Sequence, residues 1–81
     1  MYLPIGGDLS VRDRSIVGIF DLDNTSYSRH TQAFLRRAEE NGEVASATDD
    51  LPKAFVLTQE YGLDRVFLTQ FNAATLEKRM K

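Results

Sequence analysis

The run Ile19-Phe20-Asp21-Leu22-Asp23-Asn24-Thr25 holds the residues whose types best suit chemistry. Two carboxylates stand where an apolar stretch gives way to polar turn formers. Carboxylates projecting together from a strand end can hold a hard cation such as Mg²⁺ through oxygen ligands. Other candidates offer less. Gly6-Gly7 on its own reads as a turn, not a phosphate loop. His30 is the single histidine and there is no cysteine, which excludes disulfides, Cys-based zinc or iron–sulfur sites and a His-rich metal site. A Ser-His-Asp arrangement has only that one histidine to draw on, and His30 reads as an exposed or packed side chain. The cations are more numerous. Arg12 and Arg14 share a face if they lie on a strand. Arg29 and Arg36 share a stripe on a helix, with Arg37 beside it, and Lys53 follows Pro52. Lys78, Arg79 and Lys81 close the sequence. The plain reading of each cluster is a solvated polar face, and the alternative is phosphate contact.

The elements that position these residues follow from apolar spacing. Tyr2, Leu3 and Ile5, then Leu9 and Val11, flank Gly6-Gly7-Asp8 and predict a hairpin, with Pro4 confining the first strand to an edge. The near-continuous apolar run from Ser15 to Phe20 predicts a central strand buried on both faces. Asp21 to Ser26 are turn and N-cap types, and residues 28 to 41 have helical spacing. Tyr27, Thr31, Phe34, Leu35 and Ala38 fall near one face of that helix, and Gly42 stands at the left-handed C′ position. Its arginines precede its glutamates, against the helix dipole, which hints that they face something anionic. Residues 44–48 form a short strand. Residues 54–59 and 65–71 form a second hairpin around a five-residue loop, Glu60-Tyr61-Gly62-Leu63-Asp64. Asn72 caps a short helix over residues 73–80. The order β-β-β-α-(β)-β-β-α predicts one α+β domain over residues 1–81, with a small, mostly antiparallel sheet of two hairpins plus a central strand, one long helix and a short C-terminal helix.

Composition narrows the function classes. The 81 residues are 42% hydrophobic and 27% charged, so the chain can fold. A core this small supplies only about 3–5 kcal/mol. With no disulfide or metal to staple it, oligomerisation is the remaining device. The net charge of −2 argues mildly against a generic nucleic-acid coat but leaves room for a local basic face. No apolar run is long enough to span a bilayer, and residues 1–4 lack the features of a signal peptide, so the expectation is a cytoplasmic protein.

Two family resemblances bear on these residues. The Asp21-Leu22-Asp23-Asn24-Thr25 run resembles the first motif of haloacid-dehalogenase-type phosphatases. That resemblance implies Asp21 as nucleophile, Asp23 as acid/base and a Mg²⁺ ion. The rest of the pattern fails. Thr58 and Thr69 end apolar strands and Lys78 follows, but the acidic pair Asp49-Asp50 precedes all of them. A parallel doubly wound core also takes several βα units of about 30 residues each. The preferred reading makes Asp21, Asp23, Asn24 and Thr25 loop and cap residues, in a protein that is no enzyme and needs no cofactor or metal.

The second resemblance runs nearly end to end. The opening Met1-Tyr2-Leu3-Pro4-Ile5-Gly6-Gly7-Asp8, the strand Asp13-Arg14-Ser15-Ile16-Val17-Gly18-Ile19-Phe20-Asp21, the segment Leu51-Pro52-Lys53-Ala54-Phe55-Val56-Leu57 and the ending Ala74-Thr75-Leu76-Glu77-Lys78-Arg79 resemble the bacterial extracellular-matrix (biofilm) regulators RemA and RemB, the RemB branch more closely. The resemblance implies a DNA-binding regulator assembling as a homo-oligomer, in a ring-like form. In the RemA branch the DNA-contacting arginines match Ser15, Asp50 and Leu51 here, so those arginines are absent. The expected phosphate contacts are then Arg12 and Arg14 first, with Arg29, Arg36 and Lys53 after them. The expected partners are self and duplex DNA, with no membrane and no small-molecule substrate. The alternative is a protein-interaction module that binds no DNA; a phosphatase fragment stands a distant third.

Overall fold

A computed structural model describes residues 1–22, 29–49 and 51–80. Glycines define both hairpins. Strands β1 (Tyr2–Gly6) and β2 (Leu9–Arg12) pair antiparallel across Gly7-Asp8 and form a two-stranded sheet of their own. A 3₁₀ turn (Asp13–Ser15) leads into β3 (Ile16–Asp21). Helix α1 (Arg29–Glu40) and strand β4 (Val44–Ser46) follow, then β5 (Ala54–Glu60), β6 (Leu63–Thr69) and helix α2 (Ala73–Arg79). The second sheet has strand order β3-β5-β6-β4, antiparallel except that β4 runs parallel to β6.

Alternation along β5 and β6 builds the layers. Phe55 and Val66 point to one face, where Ala38 and Leu35 of α1 cover them together with Leu57, Leu68 and Val44. Val56 points to the other face, where it joins Leu3, Ile5 and Val11 of the hairpin and Leu76 of α2. The order of layers is helix, four-stranded sheet, then hairpin with α2. Period-two alternation sends successive side chains to opposite sides, so one short hairpin serves both cores.

A buried hydrogen bond ties the two sheets together. The β1–β2 register shifts between Pro4 and Gly6, which takes Ile5 out of the ladder. The freed Ile5 carbonyl accepts a 2.6 Å hydrogen bond from the fully buried Thr69 hydroxyl. The same hydroxyl oxygen accepts from the Phe71 backbone N–H at 3.1 Å.

The caps agree with the expectations. Gly42 has φ +71°. Its N–H donates to Glu39 O and that of Glu43 to Ala38 O, the two bonds of a Schellman motif. The Asn72 side chain accepts from Thr75 N–H at 2.8 Å at the start of α2. Residues 23–28, with the Asp23, Asn24, Thr25 and Tyr27 expectations, lie outside the described residues, as do Asp50 and Lys81.

The α+β class stands, with three corrections. The strands form two sheets instead of one, and the larger is mixed. The apolar third strand is an edge, not a buried centre: Val17 is 62% exposed and Phe20 47%. An apolar run reports what a strand is made of, not how many neighbours it has. The second hairpin turns on two residues, Tyr61 (φ 55°) and Gly62 (φ 79°), so Glu60 and Leu63 pair directly instead of looping. Left-handed φ at both central positions gives the twist that matches a hairpin's strands.

Thr69→Val removes the hydroxyl but keeps the volume, and leaves the Ile5 carbonyl and Phe71 N–H without that partner. It is expected to destabilise the fold by about 1–3 kcal/mol in urea titration. A midpoint equal to wild type would refute the tie.

Candidate functional site

The hairpin ends against the tip of the β5–β6 hairpin, and polar chemistry gathers there around Glu60. One carboxylate oxygen lies 3.4 Å from Arg12 Nη1. The other accepts a 3.0 Å hydrogen bond from the buried Ser15 hydroxyl. The Arg12 guanidinium also lies over the Tyr2 ring, 5.9 Å from its centroid. A hydrogen bond and charge from Tyr2, then charge from Glu60 and Tyr61, raise the pKa of Arg12 further, so it is a permanent cation.

These residues line a cleft of about 420 Å³ between the two sheets. Arg65, which the sequence reading missed, lines it as well. It stands opposite Thr58 in the β5–β6 register, so both point to the hairpin side of the sheet. It has no ion pair with any described residue. Once the two-residue turn sets the register, strand alternation from Thr58 gives this placement; a five-residue loop hides it.

The five expected phosphate contacts do not converge in one protomer. Arg12 ends β2 and Arg14 sits in the 3₁₀ turn, so they do not share a strand face. Arg12 is held by Glu60, while Arg14 is exposed and free of ion pairs among the described residues. Arg29 and Arg36 are exposed on α1, seven positions or about 10 Å apart along its axis. That helix covers the sheet face opposite the cleft. Lys53 is exposed just before β5, about 20 Å from the Glu60 end by strand rise. Its backbone bonds Thr69 O and receives Leu22 N–H, both at 2.8 Å. Of the positions where the resemblance to RemA leads one to look for arginines, Ser15 is committed to Glu60 and Leu51 is 88% exposed.

A second, apolar groove of about 230 Å³ runs between α1 and the β3 edge, lined by Phe20, His30, Phe34, Phe55 and Leu57. Phe20 stacks on Phe55 with ring centroids 5.0 Å apart. Phe34, one of the residues spaced along one face of the helix, is 36% exposed on the rim.

Asp21 has a structural task. Its Oδ1 accepts a 2.9 Å hydrogen bond from the Ala73 N–H, an otherwise orphan donor in the first turn of α2. Among the described residues no three His, Cys, Asp or Glu side chains gather to hold a metal. No described helix is long and apolar enough to cross a membrane. Asp21→Ala should cost about 0.5–1.5 kcal/mol in urea unfolding by loosening α2. An unchanged midpoint would show that the contact contributes nothing.

No family profile matches the chain. At the level of whole sequences, it is 30% identical over 79 residues to the extracellular matrix regulatory protein B of Bacillus subtilis (strain 168), covering 98% of this chain and 89% of that protein. The similarity therefore spans the hairpin, the Glu60 node, the exposed helix and α2 together. The chain belongs to the family of extracellular matrix regulatory protein B.

Proposed function

We propose that this chain is a cytoplasmic regulator of extracellular-matrix production that binds duplex DNA as a homo-oligomer. The observation that carries the reading is the dispersal of its cations. Arg14, Arg29, Arg36 and Lys53 are exposed and unpaired among the described residues, yet they occupy three separate regions. One protomer offers a phosphate backbone only two or three of them, and such binding is weak and salt-sensitive. A closed assembly repeats each cation at regular spacing and gains avidity without new contacts per subunit. The contacts would position the protein on the duplex without reading bases. Arg14 leads, and Arg12 joins when a phosphate takes the place of Glu60.

The β3 edge supports self-association. Among the described residues no strand pairs with its outer side, beside exposed Val17 and Phe20 and next to the aromatic groove. A bare apolar edge is a template for another strand. The same groove and the acidic pI of 5.2 favour the second reading, a protein-interaction module without a nucleic-acid role.

Light scattering at low micromolar concentration should give a mass several times 9.2 kDa, and Phe20→Glu should lower it. A wild-type monomer would sink the multivalent reading. In gel shifts across salt concentrations, Arg14→Ala should weaken binding and reduce the log–log salt slope by about one per lost contact. Wild-type affinity and slope in this variant would remove Arg14 from the interface. Partner capture that persists after nuclease treatment, with no gel shift, would favour the second reading.

A further inference from the structure

The cleft between the sheets has a charge that the rest of the molecule does not predict. Its ionisable lining consists of Arg12, Arg65 and Glu60, beside two tyrosines. Arg12 and Glu60 pair with each other, so among the described residues Arg65 leaves one uncompensated positive charge in a chain whose net charge is −2. The hydroxyls divide in the same way. Ser15 donates to Glu60 and Thr58 to the Arg65 carbonyl, while Ser10 stays exposed on the wall. Arg12 offers further N–H donors beyond the one nitrogen facing Glu60.

The remaining walls are aromatic. Tyr2 and Tyr61 line the cleft while 61% and 87% exposed. The Arg12 guanidinium lies 5.9 Å from the Tyr2 ring centroid, so a cation and an aromatic ring adjoin at the opening. The left-handed Tyr61, held by the two-residue turn, sets the second ring at the hairpin tip. The volume of about 420 Å³ falls within the span of small-ligand sites. It is far more than a bare inorganic anion fills, since one water occupies about 30 Å³ in the liquid.

We propose that this cleft binds a small, singly charged anion carrying a planar ring. Its carboxylate or phosphodiester meets Arg65 and Ser10, and its ring lies against Tyr2 and Tyr61. A guanidinium fork accepts either anion in two-point geometry, and exposed tyrosine faces accept any flat ring. The single uncompensated charge favours a monoanion over a dianion. The proposal goes beyond the DNA reading, because Arg65 plays no part there.

Titration of the full chain, followed by amide chemical shifts, tests it with four probes. Cyclic 3′,5′-adenosine monophosphate and 4-hydroxybenzoate separate the phosphodiester from the carboxylate. Adenosine and acetate supply ring and charge alone. At least one ring-bearing anion should saturate with a Kd below about 1 mM and shift residues around Ser10, Arg12, Glu60 and Arg65. The other two probes should bind at least about tenfold more weakly. Arg65→Gln should lose at least about tenfold in affinity, the scale of one charge-assisted hydrogen bond. Arg65→Lys should recover part of that loss, and Arg14→Ala should bind as wild type does. Failure of both ring anions to saturate, equal binding of acetate, or wild-type affinity in Arg65→Gln would each overturn the assignment.

Discussion

The hydrogen bond from the Thr69 hydroxyl to the Ile5 carbonyl is the constraint on which the rest of the arrangement depends. A two-stranded sheet is marginal at best in water, and this hairpin has no third strand among the described residues. It is stable only when laid on the larger sheet, and apolar contact alone would let it slide. The bulge at Ile5 turns one carbonyl out of the ladder, and a buried hydroxyl on β6 receives it. An unsatisfied carbonyl in that core would cost more than the bond contributes, so the register between the sheets is specified by a penalty on every alternative. Leu3, Ile5 and Val11 then meet Val56 and Leu76 in one arrangement.

That arrangement decides what the arginines can do. With the hairpin fixed, β2 ends beside the last residue of β5, and Arg12 meets Glu60. Glu60 is already oriented by Ser15, a buried hydroxyl whose bond directs one carboxylate oxygen and leaves the other for the guanidinium. The pair is part-exposed, so salt screens it and a competing anion can displace it. Arg14, one 3₁₀ step farther on, escapes any such partner among the described residues. Two arginines that look equivalent in sequence thus differ in availability because of the turn between them.

Local signals were legible where the chemistry is local. Gly42 ends α1 and Asn72 starts α2 because a left-handed C′ and an amide N-cap depend on a few neighbouring atoms. Both hairpins were visible for the same reason. What stayed hidden depends on partners far along the chain. The apolar residues of β3 could not reveal that, among the described residues, β5 is its one strand neighbour, so Val17 and Phe20 read as core. The position of β4 beyond β6, parallel to it, follows from where α1 returns the chain and not from Val44-Ala45-Ser46 themselves. The turn was missed because a non-glycine residue, Tyr61, takes the left-handed conformation that favours Gly, Asn or Asp. Missing it shifted the strand boundary, and that concealed Arg65.

The absence of RemA-type arginines at Ser15 and Leu51 takes on a physical meaning in this fold. A guanidinium at position 15 would stand beside Arg12 and Arg14 and compete for the one carboxylate at that end of β5. A hydroxyl there does the opposite: it orients Glu60 and lets it neutralise Arg12. Of the cations at the hairpin end this leaves Arg14 free, and the other unpaired arginines stand apart from it, Arg65 across the cleft and Arg29 and Arg36 on the far face. A chain with this distribution cannot grip an anion as one dense patch. Under the two proposals, a small anion would enter the cleft and a long one would lie along a surface built from several copies. Arg65 belongs to the cleft and Arg14 to the outer surface, while Arg12 stands between the two.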